Sequence, residues 1–365
     1  MPSVWEKLAL DRRTLDLLQR SARRPGDSYL FLGPRGVPKE AAARAFATAA
    51  VCAEACGAGG ACGECSCCSR ALRGIHPDVA WFSPEGFTYP VELVREMAAS
   101  ASQTPMEAPR RVMIVEEADR MAERSQNALL KALEEPHARL TWVLVADSLE
   151  LFSPTIPSRC QIVEFAPVPE ETVRAQLAGL ARISPPGEVD RIVRAARGNL
   201  EQALALAGDE QARSLRALAI DAATTDGPTT AWALATAERA LGLARAAREA
   251  KQAELEAEST ARGGASARAA ERHRRVLRRV ETEVLVDFLG WLAGAFRDLA
   301  AISSGADPSA ITSPDRTDDL GRAATGRPAA FGLEMIDACL AAQLALRQNA
   351  EPGMVVESVL LALCV

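Results

Sequence analysis

The segment Gly33-Pro34-Arg35-Gly36-Val37-Pro38-Lys39-Glu40 has the frame of a phosphate-binding loop, G-x-x-x-x-G-K-[ST], and departs from it at two positions. A working loop wraps phosphates in backbone N–H groups, sets its lysine on the outer phosphates and its hydroxyl on Mg²⁺. Gly33, Gly36 and Lys39 keep the outline. Pro38 stands where the second glycine belongs, with no N–H to donate and a fixed φ. Glu40 replaces the hydroxyl and puts a carboxylate at a helix N-terminus, where an anionic phosphate would sit. On these eight residues alone, a chance Gly/Pro turn and a disabled pocket are equal readings. The surroundings separate them, because such a loop must join a strand to a helix. Tyr29 to Leu32 reads as a short buried strand and Lys39 to Cys52 as the helix that follows.

The same alternation continues downstream. Residues 3–24 carry a helical pattern that ends at Arg24-Pro25-Gly26. Val79 to Phe82, Arg111 to Val115, Thr141 to Ala146 and Ile162 to Phe165 read as further strands, with helices over Val91–Ser102 and Ser125–Leu133. The nearly continuous apolar run Val112-Met113-Ile114-Val115 suits a strand covered on both faces of a parallel sheet. Strands alternating with helices predict a three-layer α/β domain over residues 1–166. Beyond Pro167 the strand signal disappears. Residues 167–208 read as a small module of short helices, and 209–365 as an all-helical domain interrupted at Gly263-Gly264 and across Ser303 to Pro328. Ala235 to Arg279 is rich in Ala, Glu and Arg, a charged insertion at about 240–280; its composition predicts a solvated helical hairpin or partly disordered segment. A basic contact through Arg268, Arg272, Arg274, Arg275, Arg278 and Arg279 is the sharper reading, weakened by the glutamates between them.

A net charge of −6 gives no overall basic footprint for autonomous nucleic-acid binding, which argues against a zinc-dependent DNA binder. No uninterrupted apolar run approaches the roughly 18 residues that span a bilayer, and Met1 to Ser28 is too polar for a signal peptide, so a cytoplasmic protein without membrane contact is expected. In that compartment the chain's nine cysteines are better read as metal ligands or buried thiols than as disulfides.

Three groups of residues carry chemistry. Cys52-x9-Cys62-x2-Cys65-x2-Cys68 supplies four thiolates for a closed tetrahedral, structural Zn²⁺ site, with Cys56 as an alternative first ligand and Cys67 in surplus. Glu116-Glu117 closes the strand that begins at Arg111, where an ATPase places an acidic pair on Mg²⁺ and the attacking water, Asp first and Glu second. Glu116 is one methylene too long, Glu117 keeps its place, and two carboxylates opening a helical turn explain the pair nearly as well. Arg159, in Ser158-Arg159-Cys160, is either an ordinary surface charge or an arginine finger supplied in trans to a neighbour's nucleotide.

The order of these features, with His76-Pro77-Asp78, Ile114 to Met121, Asn127 to Pro136 and Ser158-Arg159-Cys160, resembles the clamp-loader branch of the AAA+ proteins over roughly residues 1–207. Leu346 to Asn349 followed by Val355 to Leu363 is similar to the last helices of that family's collar. The resemblance implies an AAA+ α/β core with a zinc knuckle at 52–68, a helical lid and a helical collar. It implies a subunit of the DNA polymerase III holoenzyme, set with tau/gamma motor subunits and a delta subunit in a five-membered ring. That ring opens the sliding clamp and loads it on primed DNA. Arg159 matches the family's trans-acting arginine, and Cys52, Cys62, Cys65 and Cys68 match its zinc ligands with a first gap one residue longer than usual. In Gly198-Asn199-Leu200-Glu201 the arginine by which motor subunits sense the γ-phosphate is replaced by Glu201. Pro38, Glu40, Glu116 and Glu201 all degrade one pocket, so ATP with its Mg²⁺ is not expected to be hydrolysed there. An active motor subunit, resting on Lys39 and Glu117, is the alternative.

Overall fold

The computed structural model describes residues 4–6, 8–52, 61–84, 86–179, 186–261 and 267–364. The chain divides into two compact units. The first comprises Met1–Pro84, Thr88–Gln176 and Gly198–Glu201, and the second Glu85–Phe87, Leu177–Arg197 and Gln202–Val365.

Five parallel strands form the centre of the first unit: β1 (Ser28–Leu32), β2 (Val79–Phe82), β3 (Arg111–Val115), β4 (Leu140–Ala146) and β5 (Gln161–Glu164), in the order β2-β3-β4-β1-β5. Their side chains alternate between two cores because successive residues of a strand point to opposite faces. Tyr29, Phe31, Val112, Ile114, Val143, Val145 and Val163 enter one core, packed against α1 (Arg12–Arg23), α2 (Lys39–Val51) and α3 (Ser66–Leu72). Leu30, Met113, Val115, Trp142, Leu144 and Ala146 enter the other, packed against α4 (Val91–Ala101) and α5 (Glu123–Glu134). Both faces are thus covered, which is why these strands read as unbroken apolar runs. Tyr29, Phe31, Phe46 and Phe165 make edge-on and tilted ring contacts in the first core, at centroid separations of 4.9–6.4 Å.

The parallel α/β core, the cysteine cluster beside it and the helical C-terminal region agree with the expected fold class. The helix expected over residues 3–24 is shorter. It starts at Arg12, because the Asp11 carboxylate caps the Thr14 N–H at 3.0 Å and ends the preceding turn, leaving Leu8 outside the helix. α6 (Glu170–Ala178), α7 (Pro186–Ala196) and α8 (Leu200–Gly208) follow the sheet.

In the second unit α9 (Glu210–Thr224), α10 (Thr230–Ala261), α11 (Ala267–Ser303), α12 (Thr317–Ala324), α13 (Ala329–Arg347) and α14 (Pro352–Leu361) share one core. α11 contributes Leu285, Phe288, Leu289, Leu292, Phe296 and Leu299 at helical spacing, and α10 answers with Ala233, Ala237, Ala240 and Ala244. Small residues at that spacing let two helices approach closely. α12 lies inside the interruption expected across Ser303 to Pro328; its two turns are too short for their apolar period to stand out in the sequence. Gly263-Gly264, and the side chains of Arg268 and Arg272, lie outside the described residues. Along the charged segment Arg248 pairs with Glu281 at 3.0 Å, Lys251 with Glu254 at 2.7 Å, and Arg245 with Glu238. These are mixed-sign pairs along the helix surface.

Against the expectation that no apolar stretch reaches membrane-spanning length, α13 does so by length and composition. Its buried residues Gly332, Met335, Cys339, Ala342 and Leu346 nevertheless recur every three or four positions, the stripe of a helix packed on one side.

Candidate functional site: a buried lysine beside a glycine turn and an exposed arginine

β1 ends at Leu32, and the turn that follows is shaped by two glycines. A Cβ at Gly33 would lie 2.4 Å from the Phe165 carbonyl oxygen, just beyond β5. Gly36 has φ +81°, a left-handed conformation, and a Cβ there would meet Asn199 Oδ1 at 1.8 Å. The Gly36 carbonyl also accepts the N–H groups of Leu200, at 2.9 Å, and Glu201, at 3.3 Å. Glu201 therefore stands with its backbone against the loop, at the start of α8. Asn199 was not singled out from the sequence, although it adjoins the lid position that was.

Lys39 opens α2 and is 1% exposed. Its Nζ donates to the Gly33 carbonyl at 2.6 Å, the Pro34 carbonyl at 2.9 Å and Asp147 Oδ1 at 2.7 Å. An ammonium has three N–H donors, and these three acceptors account for all of them. Pro38 occupies the N-cap of α2 without a side-chain cap, and the Lys39 N–H turns back to the Val37 carbonyl at 2.7 Å. Asp147 follows β4, the strand beside β1, and a carboxylate at the carboxyl end of a neighbouring parallel strand was the available sequence signal for it.

Burial raises the Glu40 carboxyl above its ordinary value, and the Glu116 and Asp147 charges push the same way against the opposing pull of Lys39. Lys39, Glu40, Glu116 and Asp147 are thus brought together, with three carboxyls where a nucleotide would carry its own negative charge. Glu116 accepts from the Ser83 hydroxyl, and its carbonyl accepts the Tyr89 hydroxyl at 2.6 Å. Glu117 has a left-handed backbone, φ 46°, and pairs with Arg120 at 3.1 Å. Asp119 is buried and receives the Asp147 and Ser148 N–H groups at 3.0 and 3.2 Å, while burial raises its carboxyl. Its part is to brace the loop that carries Asp147.

Arg159 lies elsewhere, at the end of a 3-10 turn, Pro157–Arg159, that leads into β5. Its side chain is 34% exposed; Nη2 contacts Glu134 Oε1 at 2.6 Å and Nη1 donates to the Thr155 carbonyl at 2.9 Å. Glu134 lies in the Asn127 to Pro136 segment that carries the resemblance but was given no role there, and Thr155 carried no sequence signal. The neighbouring Cys160 thiol is pushed up to about 12 by burial and is no candidate nucleophile.

The sulfurs of Cys52, Cys62, Cys65 and Cys68 lie within 4.8 Å of one another. Four sulfurs at about 2.3 Å from one Zn²⁺ would stand about 3.8 Å apart in a tetrahedron. Cys62 and Cys68 are at that separation, 3.8 Å. The Cys65 N–H points at the Cys62 sulfur, 3.3 Å, and the Cys68 N–H at the Cys65 sulfur, 3.4 Å. Backbone N–H groups from Cys65 and Glu64 lower the Cys62 thiol to about 7, whereas burial raises that of Cys68. The four residues fit a structural zinc, which would cross-link the end of α2 to α3. Cys67 is turned to other partners, the Val51 carbonyl at 3.1 Å and His76 Nε2 at 3.0 Å. Cys56 lies outside the described residues. In His76-Pro77-Asp78 the buried Asp78 carboxylate gathers the N–H groups of Met106, Glu107 and Ala108 at 2.6–2.9 Å, so this motif anchors a loop.

Residues 11–169 match the sequence profile of the family described as DNA polymerase III, delta subunit. The chain is 29% identical over 223 residues to DNA polymerase III subunit delta' of Bacillus subtilis, covering 60% of this chain and 66% of that one. It is 35% identical over 183 residues to the Pseudomonas aeruginosa subunit of the same name, covering 50% and 52%. The matches thus span about two thirds and about half of those relatives' own lengths. A solved structure, a Thermotoga maritima DNA polymerase III gamma subunit-related protein, is similar at 17% identity and a TM-score of 0.46 over 96% of this chain and 98% of that one. The resemblance of this chain is to delta-prime subunits of bacterial DNA polymerase III.

Proposed function

We propose that the chain is a non-hydrolysing, delta-prime type subunit of a bacterial clamp loader, acting in the cytoplasm. In this reading it joins tau/gamma motor subunits and a delta subunit in a five-membered ring. The ring opens the sliding clamp and places it on primed DNA. The observation that carries the reading is the state of Lys39: its three donors are taken by two carbonyls of its own loop and by Asp147, so a phosphate would have to displace all three. Glu40, Glu116 and Asp147 add repulsion at the same place. The subunit's contribution to hydrolysis is then made at Arg159, in the site of the adjacent motor, where an arginine stabilises charge on the transferring phosphate. The AAA+ core extends to about residue 166, the lid over 167–208 and the collar over 209–365. The four-cysteine site holds one zinc ion, which cross-links the knuckle and takes no part in the reaction.

The test is reconstitution with tau/gamma and delta. Arg159→Ala should lower DNA-dependent ATP turnover and clamp loading by on the order of 10³-fold. Unchanged turnover would remove the trans-acting role. Titration of the isolated chain with a fluorescent ATP analogue and Mg²⁺ should show no tight binding; tight binding abolished by Lys39→Ala would identify an active motor instead.

A further inference from the structure

We infer that Glu134 is a positioning residue for Arg159, an inference that rests on the trans-acting reading of Arg159 proposed above.

An arginine that serves another subunit's phosphate faces a problem of entropy. Its side chain has several rotatable bonds and loses much of its rotamer freedom when fixed. An exposed arginine would lose that freedom at the moment of reaction, unless its own subunit had already held it. The structure supplies the hold. The 3-10 turn is tight, with the Arg159 N–H on the Ile156 carbonyl at 3.1 Å and the Cys160 N–H on the Pro157 carbonyl at 3.2 Å. From that turn the guanidinium reaches back, one nitrogen on the Thr155 carbonyl and the other on Glu134 at the last residue of α5. The Ser158 hydroxyl, 3.4 Å from Nη1, is the remaining side-chain contact among the described residues. The guanidinium has five N–H donors. One carboxylate oxygen and one carbonyl hold its position without consuming the fork, and Nε–H has no partner among the described residues.

Glu134 is itself suited to the task. It ends a helix whose Leu129 and Leu133 are buried in the sheet's second core, so its backbone is fixed while its carboxylate stays 46% exposed. An exposed pair of this kind contributes little to stability. Its removal should therefore leave the subunit folded and change only how well the arginine is presented.

The experiment uses the reconstituted ring and reads kcat and the KM for ATP separately. Glu134→Ala should assemble normally, keep the KM, and lower kcat by about three- to tenfold, far less than Arg159→Ala. Glu134→Gln should retain at least half of the wild-type kcat, because its amide oxygen still accepts from Nη2. If Arg159→Ala collapses turnover while Glu134→Ala matches or exceeds the wild type, Glu134 is a bystander or a competitor: the inference fails and the trans-acting role stands. A glutamine variant as slow as the alanine variant would likewise overturn positioning through the hydrogen bond. If Arg159→Ala itself leaves turnover unchanged, the underlying reading fails first.

Discussion

Lys39 and Asp147 form a salt bridge of 2.7 Å whose lysine end is 1% exposed and whose aspartate end is 37% exposed. The pair joins the first residue of α2 to the loop beyond β4, and so ties the phosphate loop to the neighbouring strand.

The two ends should respond differently to substitution. Asp147→Ala leaves a buried ammonium with two carbonyls and no counter-charge, and should cost about 2–4 kcal/mol, somewhat below a fully buried pair. Lys39→Met leaves a partly solvated carboxylate and fills the space with apolar atoms, so its cost should be smaller. Denaturant melts of the two variants decide the order; a larger loss for Lys39→Met would contradict the asymmetry.

Gly36 should be hard to replace for two separable reasons, its positive φ and the contact with Asn199. Gly36→Ala is expected to destabilise by about 1–3 kcal/mol. Adding Asn199→Ala should recover part of this but not the strain of the backbone, and a double-mutant cycle measures the split.

The knuckle should carry about one zinc per chain, as four thiolates without an open position imply. Cys68→Ser should lose the metal, while Cys67→Ser should keep it, since Cys67 is committed to Val51 and His76. Metal analysis of both purified variants checks this, and zinc loss in Cys67→Ser would mean that the ligand set is wrong.

In the second unit Arg216 makes two 2.8 Å bonds to the Asp315 carboxylate. Burial acts to raise the Asp315 carboxyl, but the bonds and charge of Arg216, with the charge of Arg191, outweigh it and hold the group below its ordinary value of 3.8. A depressed folded-state value means stability that is present above the unfolded value and lost as pH falls through the folded one. Asp315→Asn should therefore be less stable than the wild type by a constant margin above about pH 5, and the margin should shrink below about pH 3.8. Urea melts across that range test it; a margin that grows on acidification would reverse the assignment.

The α/β core was readable because its central strands are covered on both faces and leave runs of apolar residues bounded by turns, as in Val112 to Val115. The four zinc-ligand candidates were readable because a thiolate shell needs short, fixed spacings. α12 was not, since two turns carry too little period. Neither was the start of α1, which depends on one side-chain cap at Asp11. Asp147, Asn199 and Glu134 escaped for another reason. Each meets its partner only in the folded chain, and the local sequence around it does not name that partner.

The sequence by itself determined that Pro38 and Glu40 stand where the phosphate-loop pattern has a glycine and a hydroxyl, so the N–H and the hydroxyl of that pattern are missing there. Only the tertiary structure decided what became of Lys39 and Arg159. Both are cations whose effect depends on which acceptors lie within 3 Å, and the carboxylates among those acceptors, Asp147 and Glu134, come from other parts of the fold. Lys39 is enclosed by its own loop and Asp147, whereas Arg159 is held at the surface by Glu134 and the Thr155 carbonyl. A buried charge must be satisfied within its own subunit, and an exposed one retains donors to offer.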